Sequence, residues 1–184
     1  MFINIPNNPF KTNLIIDIIT IVSNIAISNK KNTELIVQKT KIPQLIKQIS
    51  LLSHNNKLLI EIVIFYNNII INSTEENFEG ILNLEPFRSF ENLLKSTMIF
   101  EGVFYALSGI YEILKRINWL KKTKICWVDV IINSLMPKIE TYCICEDMKI
   151  SAKAKMLVES YNEVFSTMEI NGTNGNIKME TENF

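Results

Sequence analysis

Residues 57–74 read KLLIEIVIFYNNIIINST, and this almost uninterrupted apolar stretch decides how the rest of the chain is read. Glu61 and the adjacent pair Asn67 and Asn68 interrupt it, so it is too short and too polar to span a bilayer. Its length favours a helix covered on most sides over a buried strand. Burying an unpaired amide costs about 1–3 kcal/mol. We therefore expect Asn68 either to be satisfied locally or to meet a polar partner.

A similar arrangement occurs upstream, where an apolar segment also ends on an amide, Asn24. The segments Asn24-Ile-Ala-Ile-Ser-Asn and Asn68-Ile-Ile-Ile-Asn-Ser lie 44 residues apart, and Pro43 and Pro86 lie 43 apart. Gly109, in a third apolar segment, follows another 41 residues on. Helical units that recur about every 40–47 residues are typical of armadillo and HEAT arrays.

The pattern predicts two units, each with a short helix, a medium helix that begins at a proline, and a long apolar helix. Three helices in a unit favour the armadillo type over the two-helix HEAT type. The expected segments are a long helix from Thr12 or Asn13 to about Ser28; a short one from Asn32 to Thr40, capped by Asn32 or Thr33; a medium one opened by Pro43; a turn at residues 54–56; the long helix of residues 57–74; a short one from Glu75 to Leu82; a medium one from Pro86; and a long one from Met98 to about Ile117.

The remaining third of the chain departs from this pattern. Residues 115–124 (KRINWLKKTK) are interpreted as a solvated basic loop rather than a nucleic-acid contact or an internal mimic of a basic cargo peptide. A helix is expected from Cys126 to Leu135, another from Pro137, because proline is tolerated in a first turn, and a closing helix from Lys149 to about Thr167.

The expected fold class is therefore all-α, as an armadillo-type right-handed solenoid of about three repeats with a C-terminal helical cap. We expect residues 1–10 to be irregular, residues 11–167 to form the armadillo domain, and residues 168–184 to be a disordered tail.

Composition argues against several classes of function. The chain carries 19 basic and 19 acidic residues, so no global field indicates nucleic acid or membrane as a partner. Nothing at Met1 resembles a secretory signal. With one histidine and no glycine-rich phosphate loop, we expect no enzyme activity and no cofactor. The three cysteines lack zinc spacing and are interpreted as buried structural residues, at positions Cys126, Cys143 and Cys145.

Several short segments occur in a characteristic order: Asn24-Ile-Ala, Ile42-Pro43-Gln-Leu-Ile, Gly109-Ile-Tyr-Glu-Ile-Leu-Lys115, and Pro137-Lys-Ile-Glu140 through to Tyr161 and Phe165. Together they resemble the last armadillo repeats of the importin-α (karyopherin-α) nuclear-transport adaptors, over roughly residues 11–166. The resemblance implies a groove for an extended basic peptide, in which each repeat supplies an asparagine and, four residues earlier, a tryptophan. The tryptophan positions here hold Thr20, Ile64 and Tyr105, and the asparagine positions hold Asn24, Asn68 and Gly109.

The spacing adds an acidic residue to the same helical face in each unit. An asparagine side chain offers a donor and an acceptor to a peptide backbone, and an acid suits a basic ligand. The candidate peptide-binding residues are Asp17, Thr20 and Asn24; Glu61, Ile64 and Asn68; and Glu101 and Tyr105. The alternative interpretation is that these are ordinary solvated positions of a degenerate paralogue.

The resemblance implies an adaptor in nuclear protein import that binds basic signal peptides and transport receptors, in the cytoplasm and the nucleus. The alternative is a scaffold subunit of a larger assembly, without a peptide groove. The first helix is apolar around most of its circumference, through Ile15, Ile16, Ile18, Ile19, Ile21, Val22 and Ile25. Because a terminal repeat needs a polar outer face, we expect self-association or a partner at the face of residues 14–27.

Overall fold

The computed structural model describes residues 9–52, 55–96, 100–120 and 122–172, and every regular element within these ranges is helical. The all-α class is therefore confirmed. The α-helices are α1 (Pro9–Ser28), α2 (Lys30–Lys39), α3 (Ile42–Leu52), α4 (Asn56–Ile71), α5 (Glu75–Leu82), α6 (Pro86–Ser96), α7 (Phe100–Lys115), α8 (Lys122–Tyr142) and α9 (Met148–Gly172). A short 3-10 helix, Ile117–Trp119, lies between α7 and α8.

The long helices stack in chain order, with α1 on α4, α4 on α7, and α7 on α9. The short helices form a second row, in which α2 packs on α5 and α5 packs on the 3-10 helix. The medium helix α6 packs on α4, α7 and α8. Assignment of this stack to the armadillo type stays a prediction at this point.

Helix α4 lies at the centre of the stack and is buried on nearly all sides, as its sequence predicts. Its side chains Leu58, Ile62, Phe65 and Tyr66 are each 0% exposed. The Tyr66 hydroxyl donates to the Leu84 carbonyl, 3.3 Å away. Burial, assisted by the charge of Glu85, raises the pKa of Tyr66 far above its ordinary value.

Local sequence signals set most helix starts. The side chain of Asn55 accepts from the Leu58 amide and caps α4, while Thr74 and Asn77 form a capping box at α5. The predicted cap of α2 is wrong: Asn29, rather than Asn32 or Thr33, accepts from a first-turn amide. The Thr33 hydroxyl is buried instead and donates to the Ala26 carbonyl of α1 at 2.8 Å.

Pro137 does not open a new helix, because α8 runs through it from Lys122 to Tyr142. The ring removes one backbone donor and frees the carbonyl of Asn133, four residues earlier. Both residues are exposed, so water can satisfy that carbonyl. Proline at an exposed position therefore did not end the helix, and the predicted break at this point is wrong.

The basic segment 115–124 is also more ordered than a solvated loop. Ile117 and Leu120 are buried, and Arg116 and Lys124 bond to Ile71 and Asn83 of other segments. At the other end of the chain, α9 continues to Gly172, beyond the expected start of the tail at residue 168. Residues 173–184 and most of the expected irregular segment 1–10 lie outside the described residues, although helix α1 already begins at Pro9.

Candidate functional site

A row of polar side chains joins α1 to α4 along the seam where the candidate peptide-binding residues were expected. The Thr20 hydroxyl lies 2.8 Å from a carboxylate oxygen of Glu61 and donates to it. Further along, the Asn68 amide donates to the Ser23 hydroxyl at 2.9 Å. At the end of the seam, the Asn72 amide donates to the carbonyl of Ile27 at 3.2 Å.

Asn68 therefore meets a polar partner on the neighbouring helix, the second of the two outcomes that its sequence context allows. Only 7% of the residue is exposed, and its second donor contact is the Ser23 carbonyl at 3.4 Å. Both of these bonds go to α1, so the N–H groups of the amide are directed at the neighbouring helix. Asn24, its equivalent in α1, is exposed.

The other candidate residues are spread over three helices. Asp17, Asn24 and Glu101 are exposed, while Thr20, Glu61, Ile64 and Tyr105 are partly buried. Within this set of residues, the Thr20 hydroxyl and the Glu61 carboxylate are directly hydrogen-bonded. Tyr105 packs edge-on against the neighbouring Phe104 ring, with the centroids 5.7 Å apart.

Gly109 takes the position at which α7 would carry an amide in the repeat pattern. A Cβ atom built on Gly109 would lie 2.6 Å from Cζ of Phe90, a side chain of α6 that is 0% exposed. A side chain at this position would therefore overlap a ring that has no space to move. The close approach of α6 to α7 therefore leaves no room for an amide side chain at this position.

Sequence reasoning missed the polar groups that close the C-terminal ends of the long helices. Asn72 donates to the last turn of α1 at Ile27, and the Arg116 guanidinium donates to the Ile71 carbonyl of α4 at 3.0 Å. In both cases the donor and the acceptor are 45 residues apart. Asn72 and Arg116 are themselves 44 residues apart, the spacing of Asn24 and Asn68, and this spacing is the signal that marks them.

Glu112, in the last turn of α7, also holds Arg116, the residue that follows this helix. The guanidinium donates to the carbonyl of Glu112 at 3.0 Å and to its carboxylate, and Lys115 reaches the same carboxylate at 3.3 Å. Burial alone would raise the pKa of Glu112, but the hydrogen bonds and charges of Arg116 and Lys115 outweigh it and hold that pKa below its ordinary value.

The outer face of α1 is a stripe of exposed apolar side chains, which we call the α1 stripe: Leu14, Ile18, Ile21 and Ile25, exposed by 59%, 50%, 58% and 46%. The residues 44 positions later in α4 are Leu58, Ile62, Phe65 and Ile69, each 0% exposed. In the sequence, these four residues lie among Glu61, Asn68 and Asn72, whose side chains bond to α1. The α1 stripe is thus the uncovered counterpart of a surface that is completely covered one unit later.

By length and composition alone, α1 could also cross a membrane. Its segment Phe10–Ser28 has a mean hydropathy of 1.5 and is 22% buried, and among the described residues no other helix is both long and apolar enough to cross a membrane. The same composition occurs in core helices of soluble proteins and in signal sequences. The prediction that no membrane is a partner stays a prediction.

Among the described residues, no group of three or more His, Cys, Asp or Glu side chains lies together in a way that could hold a metal ion. Cys143 and Cys145 are partly buried, but Cys126 is exposed, so the prediction of three buried cysteines is wrong for that residue. Burial is the main cause that raises the pKa of Cys143 and disfavours its thiolate. His54, the only histidine, lies outside the described residues.

The two tryptophans of the chain both pack against phenylalanine rings. Trp119 meets Phe78 and Trp127 meets Phe87, both edge-on, with ring centroids 5.6 and 5.8 Å apart.

Compared with known proteins, the chain matches no family model and no curated protein.

Proposed function

We propose that this chain is a non-enzymatic, armadillo-type helical-repeat protein whose function is to bind other proteins. The observation that carries the proposal is the α1 stripe (Leu14, Ile18, Ile21 and Ile25), because its counterpart in α4 is covered in full. A helical repeat contacts only its neighbours, and a terminal repeat that keeps an apolar outer face needs something to cover it. Exposed apolar patches of this kind mark interaction surfaces.

The exposed apolar side chains continue beyond α1 onto the next two helices. Leu35 on α2 and Leu45 and Leu51 on α3 are exposed by 47%, 44% and 41%. At the opposite end of the stack, the closing helix α9 exposes Lys155, Glu159 and Glu163 together with Met148 and Met156. The apolar side chains of α1, α2 and α3 are the surface that we assign to the scaffold interpretation.

Light scattering over a dilution series tests the proposal. We expect the isolated chain to exceed its monomer mass of 21.3 kDa at tens of micromolar, because two copies can cover each other's α1 stripe. The double variant Ile18→Lys/Ile25→Lys should return it to a monomer. The control Val130→Lys/Ile144→Lys adds the same charge at two exposed apolar positions near the other end and should leave the association unchanged.

Two results would contradict the proposal. One is a wild-type chain that stays monomeric at every concentration. The other is binding to phospholipid vesicles that the same double variant abolishes, since that would assign the α1 stripe to a membrane instead of a protein.

We also propose a second candidate, the importin-α-like adaptor that binds basic signal peptides and transport receptors in the cytoplasm and nucleus. The observation that favours it is the exposure of Asp17 and Asn24 on α1 and of Glu101 on α7, the long helices on either side of α4. Against it, the Asn68 amide bonds to Ser23, and Phe90 closes the site at Gly109. Fluorescence anisotropy with a labelled lysine-rich signal peptide tests this candidate, with Asp17→Asn/Glu101→Gln expected to weaken binding and unchanged affinity contradicting it.

A further inference from the structure

The C-terminal ends of α1 and α4 each accept a hydrogen bond from a side chain of the following unit, and the end of α7 can be compared with them. The end of α1 receives Asn72 from the end of α4, and the end of α4 receives Arg116, which follows α7 directly. The last four carbonyl groups of a helix have no partner within it, and they carry the negative end of the helix dipole. Each donor therefore satisfies a group that the helix itself leaves open.

At the end of α7 the equivalent position is Ser160 of α9, which follows Arg116 by 44 residues. Helix α9 packs on α7 as α7 packs on α4, and the Lys153 ammonium of α9 lies 4.6 Å from the centre of the Tyr111 ring of α7. Ser160 faces the last turn of α7 across a cleft of about 350 Å³, which Leu114, Lys115, Asn118 and Glu163 also line. A hydroxymethyl group does not fill a space that holds a guanidinium one unit earlier.

The cleft has the chemistry of an acceptor site. Leu114 and Lys115 of the last turn of α7 line it together with Glu163 of α9, whereas the Glu112 and Ile113 carbonyls of the same turn already accept from Arg116. The ammonium group of Lys115 is engaged elsewhere, 3.3 Å from Glu112 and 5.6 Å from the centre of the Tyr111 ring. Negative charge at a helix C-terminus and a carboxylate together favour a cation with several donors.

We propose that this cleft binds the guanidinium group of an arginine side chain that another protein supplies. The chain itself provides the precedent, since the guanidinium of Arg116 donates to the Ile71 carbonyl, the Glu112 carbonyl and the Glu112 carboxylate. A planar fork reaches a helix end and a carboxylate at once, which the point charge of a lysine does less well. The cleft is thus the third capping position of the stack, where the described part of the chain places a serine instead of an arginine.

The test is a titration of ¹⁵N-labelled protein with N-acetyl-arginine amide, followed by NMR. We expect shift changes at residues 114–118 and 160–164, with a dissociation constant on the order of millimolar for so small a probe. N-acetyl-lysine amide should produce clearly smaller changes. No change in these residues at tens of millimolar, or equal changes with the lysine probe, would overturn the assignment.

Two variants test the geometry. Ser160→Arg should fill the cleft from within, abolish the response to the probe and raise Tm by about 2 °C or more. Ala152→Arg adds the same side chain at an exposed position of α9 and should do neither. A Ser160→Arg protein that still responds to the probe would contradict the proposal. Independently of that variant, Glu163→Gln should weaken probe binding about threefold, and unchanged affinity would remove the carboxylate from the site.

The inference rests on the proposed protein-binding function only for the source of the arginine. A chain that is monomeric in light scattering but responds to N-acetyl-arginine amide would contradict the proposed role of the α1 stripe and retain the cleft. A chain that associates through the α1 stripe without responding to the probe would do the reverse.

Discussion

The side-chain amide of Asn68 donates a 2.9 Å hydrogen bond to the hydroxyl of Ser23, on the preceding long helix. Both residues are buried, so the bond joins two stacked helices in a region that water does not reach. Asn24, at the same position one unit earlier, is exposed at the surface. The same residue type thus contributes to cohesion of the stack at one position and is solvated at the other.

Replacing the buried amide should therefore lower stability. We expect Asn68→Ala to reduce the free energy of unfolding by about 1–3 kcal/mol, because Ser23 loses a buried partner and a small void remains. Asn24→Ala is the matched control and should change it by less than about 0.5 kcal/mol. Urea denaturation of both variants measures the difference. Equal losses would show that the Asn68 bond does not stabilise the seam.

A second matched pair concerns glycine. Gly80 lies in α5 with nothing within 4 Å of an added Cβ, so Gly80→Ala should stabilise the protein by up to about 1 kcal/mol through helix propensity. Gly109→Ala gains the same propensity but places its Cβ against Phe90, and overpacking costs about 1–3 kcal/mol.

We therefore expect Gly109→Ala to be less stable than Gly80→Ala by at least about 1 kcal/mol in thermal or urea unfolding. Adding Phe90→Leu to Gly109→Ala should recover part of the overpacking cost, because it removes the atoms nearest to the new Cβ. A Gly109→Ala protein as stable as Gly80→Ala would mean that α6 is free to move away from α7.

The depressed pKa of Glu112 gives stability a defined dependence on pH. A carboxyl whose folded-state pKa lies below its ordinary value of 4.5 stabilises the fold above that pH, and this contribution is lost as the pH falls through the folded-state pKa. Glu112→Gln should therefore be less stable than the wild type at neutral pH, and the gap should narrow as the pH falls below about 4.5.

Urea denaturation at several pH values measures that gap. Glu34→Gln, a change at an exposed position of α2, is the control and should give little difference from the wild type at any of them. A gap for Glu112→Gln that stays constant down to the acid limit would contradict the assignment of the effect to this carboxyl.

The guanidinium that closes α4 should matter more than its charge alone suggests. Arg116→Met keeps much of the apolar stem but removes the donors to Ile71 and Glu112, and we expect a loss of about 1–3 kcal/mol. Lys115→Met removes a neighbouring exposed charge and should cost well under about 1 kcal/mol. If the two variants unfold at the same urea concentration, the bond to Ile71 contributes nothing measurable.

Much of the fold follows from periodic features of the sequence. The 44-residue spacing of Asn24 and Asn68 identifies α1 and α4 as equivalent helices, and Pro43 and Pro86 mark first turns. These features work because they depend on local backbone chemistry or on repetition. The break expected at Pro137 failed because its cost depends on whether the freed carbonyl reaches water, which only the packed structure decides.

The candidate site was less predictable for a related reason. In α4 nearly every position is apolar and buried, so periodicity does not define which side Asn68 faces. Whether its amide met a ligand or α1 depended on Ser23, a partner 45 residues away with no signal of its own. Gly109 likewise looks like a missing amide in the sequence alone, and only the position of the Phe90 ring in the structure explains the glycine.

The C-terminal ends of α1 and α4 are each bonded by a residue of the following unit, so the order of synthesis determines when each end can be satisfied. A ribosome delivers the N-terminal end first, and α1 cannot acquire the donor to Ile27 until 45 further residues, ending at Asn72, have been made. The end of α4 must wait in the same way for Arg116. Each newly synthesised unit therefore completes the one before it, and a nascent chain that stalls between units leaves its last finished helix frayed.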